Sequence, residues 1–236
     1  MTWSIIARDS ATGSFGIAVA TRFFAVGARV PFIAANIGAV ATQALVNPFY
    51  GTDGLTLLRA GKSAPEVVEA LIASDAGRDY RQIHVMDGAG RIAAQTGSAC
   101  IDWCGHIAGD GVSVAGNMLA GPAVIEDTAA AYLANLAAPF PQRLIAAMRA
   151  GETAGGDKRG KQSAALLIHC EEAWSDLDLR VDDHTDPLAE LERLEQVSRE
   201  RWVHFRQFLP TRKNPAGVTD RAVIDARIEA ALGDKA

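Results

Sequence analysis

The amino-acid sequence predicts an α+β fold arranged as a four-layer αββα sandwich, two sheets packed face to face with helices on both outer surfaces. β-prone runs come in hairpin-like pairs interrupted by helix pairs, the pattern of sheets covered by helices. The opening runs Ile5-Ile6-Ala7 and Ile17-Ala18-Val19-Ala20 lack polar alternation, as strands buried between a second sheet and a helix layer require. With 236 residues, 49% of them apolar and 22% charged, the chain is long enough for one large core. These bounds predict one domain over residues 1–210 and a polar tail over 211–236.

Trp3 to Arg8 and Ser14 to Thr21 are β-prone around the turn residues of 9–13, which predicts an opening hairpin. A third strand is expected around Phe32 to Gln43, where Ala34, Ala35, Gly38, Ala39 and Ala41 permit close approach of another layer. Helices are expected from Gly54 to Ala60 and from Ala64 to Ser74. In the second, Ser63 is placed to cap, Pro65 and Glu66 favour the first turn, and Val67, Val68, Leu71 and Ile72 form one apolar stripe. Gln82 to Asp87 and Arg91 to Gln95 flank Gly88-Ala89-Gly90, a hairpin loop with glycines available for positive φ.

Residues 96–121 are punctuated by Gly97, Gly105, Gly109, Gly111, Gly116 and Gly121 and read as loop and strand lining a site. Helices from Val124 to Leu136 and from Pro141 to Ala150 follow, then a loop over 151–161 and strands from Gln162 to Cys170 and Leu177 to Val181. A long charged helix is expected from Pro187 to Phe208, its stripe of Leu188, Leu191, Leu194, Val197, Trp202, Phe205 and Phe208 buried against the domain or a second subunit. A homodimer is the expected oligomer. A short helix near Asp220 to Leu232 closes the chain.

A formal charge of −5 with no basic cluster beyond 157–161 argues against a nucleic-acid surface. No uncharged apolar stretch reaches the ~18 residues of a membrane span, and Met1-Thr2-Trp3-Ser4 lacks the start of a signal peptide. A cytoplasmic protein without membrane contact is the expectation. Cys100, Cys104 and Cys170 are odd in number and sparse, so they read as free thiols. No phosphate loop, dinucleotide fingerprint, His-Glu-x-x-His or Gly-x-Ser-x-Gly elbow occurs, which points to chemistry without a cofactor.

The opening block Thr2-Trp3-Ser4-Ile5-Ile6-Ala7-Arg8-Asp9 and the block Gly16-Ile17-Ala18-Val19-Ala20-Thr21-Arg22-Phe23 resemble the domain-of-unknown-function 1028 family. Blocks at 38–43, 47–51, 103–106, 116–121 and 155–164 are similar to it in the same order, covering about residues 1–185. The resemblance implies a fold like that of N-terminal-nucleophile (Ntn) hydrolases, a group that includes proteasome subunits, glycosylasparaginase and penicillin acylases. It implies fold more firmly than reaction.

On such a fold Thr2 is the candidate nucleophile. Thr2 is small enough for Met1 to be trimmed, and the exposed α-amine, with a reference pKa of ~7.7 to 8, can serve as base for the hydroxyl of the same residue. Arg22 is expected near the chain start, and Asn117 or a backbone N–H beside it is expected to stabilise the tetrahedral oxyanion. The bland alternative is that Thr2 simply begins a strand. The candidate substrate-binding residues are Thr21, Gln43, Asn47, His106, Arg159, Gln162 and Ser163, the last three where a loop enters a buried strand.

Two further clusters carry alternative readings. Cys100, Cys104 and His106 have ligand chemistry but poor zinc spacing, so half-buried thiols and a hydrogen-bonded histidine are favoured. Asp182-Asp183-His184 with Asp186 could hold a hard cation, but reads more simply as a strand end with Asp186 capping a helix that Pro187 begins. The function expected is therefore a small-molecule amidohydrolase acting through Thr2. A non-catalytic small-ligand-binding protein is the alternative.

Overall fold

In the computed structural model, which describes residues 2–233, β1 (Thr2–Arg8) and β2 (Phe15–Thr21) form the opening hairpin, in register from Thr2 opposite Thr21 to Arg8 opposite Phe15. Sheet formation then places β1 in the middle. A six-stranded sheet runs β10-β9-β2-β1-β8-β7, where β7 is Gly105–Gly109, β8 Val112–Asn117, β9 Ser163–His169 and β10 Leu177–Val181. A second sheet runs β3-β4-β5-β6, with β3 Pro31–Ala34, β4 Gly38–Ala44, β5 Arg81–Asp87 and β6 Ile92–Thr96. All pairings are antiparallel. The protein is thus a mixed α+β fold with two antiparallel sheets and helices.

Strand alternation decides what each face buries. Gly16 faces α4 (Phe140–Thr153), where a Cβ would lie 2.5 Å from Leu144 Cδ1 and 2.9 Å from the Phe140 ring, so the helix sits too close for any side chain. Ile17 and Val19 point the other way, joining Ile6, Val30, Ile33, Ala39, Ala41 and Met86 in a cluster fed by both sheets. α3 (Ala123–Ala134) packs on β8, while α1 (Phe49–Arg59) packs on β4 and α2 (Ala64–Ser74) on β5. The outer face of the second sheet buries Val40, Ile83 and Val85 with Leu55, Val67 and Leu71 of those helices. α2 starts as its sequence requires, with a Ser63–Glu66 capping box and Pro65 in the first turn.

Two expectations about the strands need correction. The strand expected from Phe32 to Gln43 is two strands, because Asn36 at φ 61° and Gly38 at φ 148° turn the chain back between β3 and β4. Residues 96–121 are loop and strand, the strand part being the antiparallel pair β7 and β8. Gly116 in β8 is required there, since a Cβ would lie 2.4 Å from Leu119 Cδ1 and 3.1 Å from Trp3 Cβ. The opening strands are not apolar on both faces: Thr2 and Ser4 of β1 are buried polar residues on the face shared with Ile6.

The chain divides into two compact units, Met1–Leu191 and Glu192–Ala236. The single helix expected from Pro187 to Phe208 is instead α5 (Pro187–Ser198), α6 (Trp202–Phe205) and a 3-10 turn, interrupted where Arg201 adopts φ −145°, ψ −45°. Asp186 caps α5 through the Ala189 N–H at 3.2 Å. Leu188 and Leu191 are buried, but Val197 is 42% exposed while Glu195 and Ser198 are buried in its stead. A three-residue repeat lags a helix of 3.6 residues per turn by ~60° each step, so by Val197 the stripe has rotated onto the opposite face. In the second unit α7 (Arg221–Gly233) is capped by Asp220 and packs Ile224 and Ile228 with Phe208.

Candidate functional site

Thr2 begins the central strand, opposite Thr21 on one side and Asn117 on the other, and is buried. Its Oγ1 donates to Thr21 Oγ1 at 3.1 Å. The side-chain amides of Gln43 and Asn117 both point at the Thr2 carbonyl, each at 3.4 Å, longer than the usual 2.7 to 3.2 Å. Residues at this end of β1, β2, β4 and β8 therefore converge on one threonine. Ala44 and Met118, which follow Gln43 and Asn117, hold positive φ of 69° and 54°, the kind of strained backbone that concentrates at functional sites.

Behind Thr2 the layer between the sheets is polar. Gln43 Nε2 donates to the Ala115 carbonyl at 3.1 Å and to Gln82 Oε1 at 2.8 Å, which fixes its Oε1 as the acceptor for Ser4 Oγ at 2.7 Å. Because Ser4 spends its proton there, the 2.8 Å contact with His84 Nε2 must be donated by the imidazole. His84 Nδ1 is then the acceptor for Ser113 Oγ at 2.9 Å. The ring is neutral, and complete burial, with His106 adding to it, pushes its pKa down to about 3.

The chain of bonds continues outward from Gln82. Its Nε2 shares two hydrogens among the Gly116 and Gly105 carbonyls at 2.8 and 3.0 Å and Thr96 Oγ1 at 2.9 Å, while its Oε1 also accepts from Asn117 Nδ2 at 3.0 Å. Thr96 Oγ1 in turn meets His106 Nδ1 at 2.9 Å. His106 is thus tied to the site by relay, through Thr96 and Gln82 to Asn117. Desolvation lowers its pKa from the ordinary histidine value.

On the β2 side of Thr2 lies an open cavity of about 650 Å³, lined by Arg22, Lys161, Gln162, Asp183, His184 and Thr185 among others. Arg22 Nη1 donates to Gln162 Oε1 at 3.0 Å, and Gln162 Nε2 to Asp183 at 2.9 Å. Lys161 is neutralised by Glu152 and Asp186, each at 3.1 Å. Among the described residues no carboxylate pairs with the Arg22 guanidinium. Asp157, buried, receives the Arg22 and Arg159 N–H groups at 2.8 Å and pairs with Arg159 Nη2 at 3.3 Å. Gly155, Gly156 and Gly160, all at positive φ, wrap the loop around that carboxylate.

Two predicted binding residues are occupied structurally. Ser163 Oγ donates to the Phe23 carbonyl at 2.6 Å and receives the Val26 N–H at 3.1 Å, fixing the turn after β2. Asn47 lies apart from Thr2: its amide donates to Asp75 at 3.2 Å, and Asp75 also receives Arg81 Nε at 3.0 Å. The thiols of Cys100 and Cys104 face the Arg81 and Cys100 carbonyls, and burial, then Asp102, pushes the Cys104 pKa up to about 11. No group of three or more His, Cys, Asp or Glu converges to hold a metal among the described residues. No helix there is long and apolar enough to cross a membrane.

Residues 2–191, which contain every strand of both sheets and all of this site, match a family of unknown function, DUF1028. The chain belongs to the DUF1028 family. The solved structure of protein SPO2555 from Silicibacter pomeroyi, of the same family, is 34% identical, with 93% of this chain and 96% of that chain covered and a TM-score of 0.87. Anbu (ancestral beta-subunit) from Yersinia bercovieri is 11% identical over 83% of this chain and 96% of that one, with a TM-score of 0.40. No curated protein matches.

Sequence reasoning misses Ser4, Gln82, His84, Thr96, Ser113 and Asp157 of this DUF1028 protein. A signal was available. Thr2 and Ser4, Gln82 and His84, and Ser113 and Asn117 are polar residues at even spacing within β-prone runs, which puts each pair on one strand face. What the sequence does not state is that these faces meet each other rather than water.

Proposed function

We propose that this DUF1028 protein is an Ntn-type amidohydrolase that cleaves a small amide through Thr2, on a four-layer αββα sandwich. The architecture is supported by helices packed outside both sheets and by a side-chain layer fed from both. The single observation that carries the function is the position of Thr2. It starts the central strand at a convergence of strand ends, its hydroxyl on Thr21 and two side-chain amides beside its backbone.

Once Met1, which lies outside the described residues, is trimmed, the Thr2 α-amine takes the proton of its own Oγ1 as the oxygen attacks the amide carbonyl. The oxyanion accepts from Asn117 Nδ2, which turns from its long contact with the Thr2 carbonyl. Collapse of the adduct breaks the C–N bond, and the leaving amine takes the proton held by the α-amine. Water then attacks the acyl ester on Thr2, with the same amine as base, releasing the acid. Arg22 carries a positive charge beside the site, which favours the neutral α-amine and holds a carboxylate on the leaving half of the substrate. Asp157 and Gln162 fix Arg159 and Arg22.

A second reading has an observation in its favour. Both amide hydrogens of Gln43 and one of Asn117 are already used within the protein, as a non-catalytic binding protein on the same fold would have them. Intact mass of protein isolated from its native cell and a screen of amide-bearing metabolites separate the two. Loss of one methionine, with turnover abolished by Thr2→Ala, is expected. Quantitative retention of Met1, or turnover unchanged by Thr2→Ala, sinks the hydrolase.

A further inference from the structure

On the β8 side of Thr2, opposite the Arg22 cavity, lies a second cavity of about 250 Å³ lined by Ala44, Leu45, Tyr80, Cys100, Ile101 and Met118, together with Asn117. We infer that this cavity binds the acyl half of the substrate, and that the substrate is the amide of a short apolar acid carrying a phenyl group or a chain of about six carbons. The inference rests on the hydrolase reading and names its substrate class.

Chemistry and size both point there. The lining side chains are hydrocarbon and sulfur except for Asn117 and the Tyr80 hydroxyl, so a charged group placed among them would meet no countercharge. A cavity of ~150 Å³ holds benzene and drug-sized ligands need ~300 Å³ or more, so about 250 Å³ covers one ring or a short chain and leaves the rest of a longer one in water. Asn117 belongs both to this cavity and to the hydrogen-bond register of Thr2. A carbonyl accepting from Asn117 therefore sits with one substituent directed into the apolar space. The other substituent, the amine that leaves first, is directed to the open Arg22 side, where water and a cation receive it.

The wall is built in advance. Arg81 donates from Nη1 to the Leu45 carbonyl and from Nε to Asp75, which Asn47 also binds. The Leu45 N–H donates to the Tyr80 carbonyl at 3.1 Å, and the Met118 N–H to the Ile101 carbonyl at 2.8 Å. Asn47, placed in the binding set by sequence, thus acts on substrate only by holding Leu45. Leu45 at 64% and Ile101 at 58% exposure form a rim that a ligand can cover.

The test uses the neutral amides acetamide, hexanamide, phenylacetamide and dodecanamide, with affinity read by ligand-observed NMR on the full chain and on Thr2→Ala. Hexanamide and phenylacetamide are expected to bind about a hundredfold more tightly than acetamide, from ~0.8 kcal/mol for each buried CH₂. Dodecanamide should gain nothing further. Leu45→Asp and, independently, Ile101→Asp, both at exposed positions, should weaken phenylacetamide at least tenfold. Equal affinity across the series, or binding untouched by both rim variants, overturns the inference. Release of glycine from N-phenylacetylglycine by the Met1-trimmed chain is followed in parallel. Binding with this preference but no glycine release would sink the hydrolase reading and leave the cavity assignment standing. Glycine release at equal rates from the N-acetyl and N-phenylacetyl compounds would do the reverse.

Discussion

His84 offers the sharpest test of the polar layer, because its charge is set by burial and its hydrogen-bond directions by its neighbours. Its folded-state pKa near 3 lies far below the ~6.5 of an unfolded histidine. As pH falls, the unfolded chain takes up the proton first, so stability present in full above ~6.5 is lost progressively as pH drops toward 3. For this one group the loss between pH 6 and pH 4 is about 2 to 3 kcal/mol. His84→Gln keeps a donor for Ser4 and an acceptor for Ser113 but cannot titrate. Urea unfolding followed by tryptophan fluorescence at a series of pH values measures both proteins. The stability of wild type relative to the variant should fall by that amount over the interval. His106 and His169, also lowered by desolvation, are common to both and cancel. Parallel curves for the two proteins would show that His84 is not held neutral between Ser4 and Ser113, and the proton directions derived from Gln43 would fall with it.

Asn117→Ala removes the proposed oxyanion donor and should lower kcat by ~10² to 10³ with KM little changed, measured on whichever amide the screen identifies; a loss confined to KM would move the oxyanion site elsewhere. At the far end of β1, Arg143 donates to Asp9 at 3.0 Å with both side chains nearly buried, and lies 5.3 Å from the Phe140 ring. Burial raises the Asp9 carboxyl, but hydrogen bonds from Thr12 and Arg143 outweigh it and hold the pKa below the usual value. Arg143→Met should therefore cost about 3 to 5 kcal/mol at neutral pH by stranding a buried carboxylate. Asp9→Asn combined with it should recover most of that loss in the same unfolding assay. Since the Asp9 pKa is lowered, the pair's contribution is expected to fade as pH falls through that lowered value.

Local signals were legible in the sequence wherever one residue type had one job. Ser63 with Glu66 and Pro65 fixed the start of α2, and Gly90 at φ 83° closes the β5–β6 hairpin as the Gly-Ala-Gly loop requires. The reading failed where long-range geometry decides. Asn36 reads as part of one strand from Phe32 to Gln43, because nothing local says that the chain reverses there between β3 and β4. The glycines of 96–121 read as loop and strand without bounds for either, because nothing local says that β8 is pressed against Trp3 and Leu119 closely enough to favour Gly116. The site shows the same division. Thr2, Asn117 and Gln43 were legible as candidates with a chemical role, while the partners that aim them, Ser4, Gln82 and His84, carried no local sign of one.

Those partners explain why a polar layer is retained where an apolar one would pack. The inter-sheet layer is split along β1: Ile6 lies among Ile17, Ile33 and Met86, whereas Ser4 and Thr2 lie among amides, hydroxyls and an imidazole. Each buried hydrogen bond contributes only ~1 kcal/mol net, and each one left unmade costs ~1 to 3 kcal/mol, so the polar half adds little stability over hydrocarbon. It gives direction. An apolar layer tolerates small rotations of its side chains, but a chain in which Gln43 fixes Ser4, Ser4 fixes His84, and Gln82 fixes both Gln43 and Asn117 has one low-energy arrangement. That arrangement delivers two amide groups to the carbonyl of Thr2, the end of the chain of bonds and the residue from which chemistry is proposed to start.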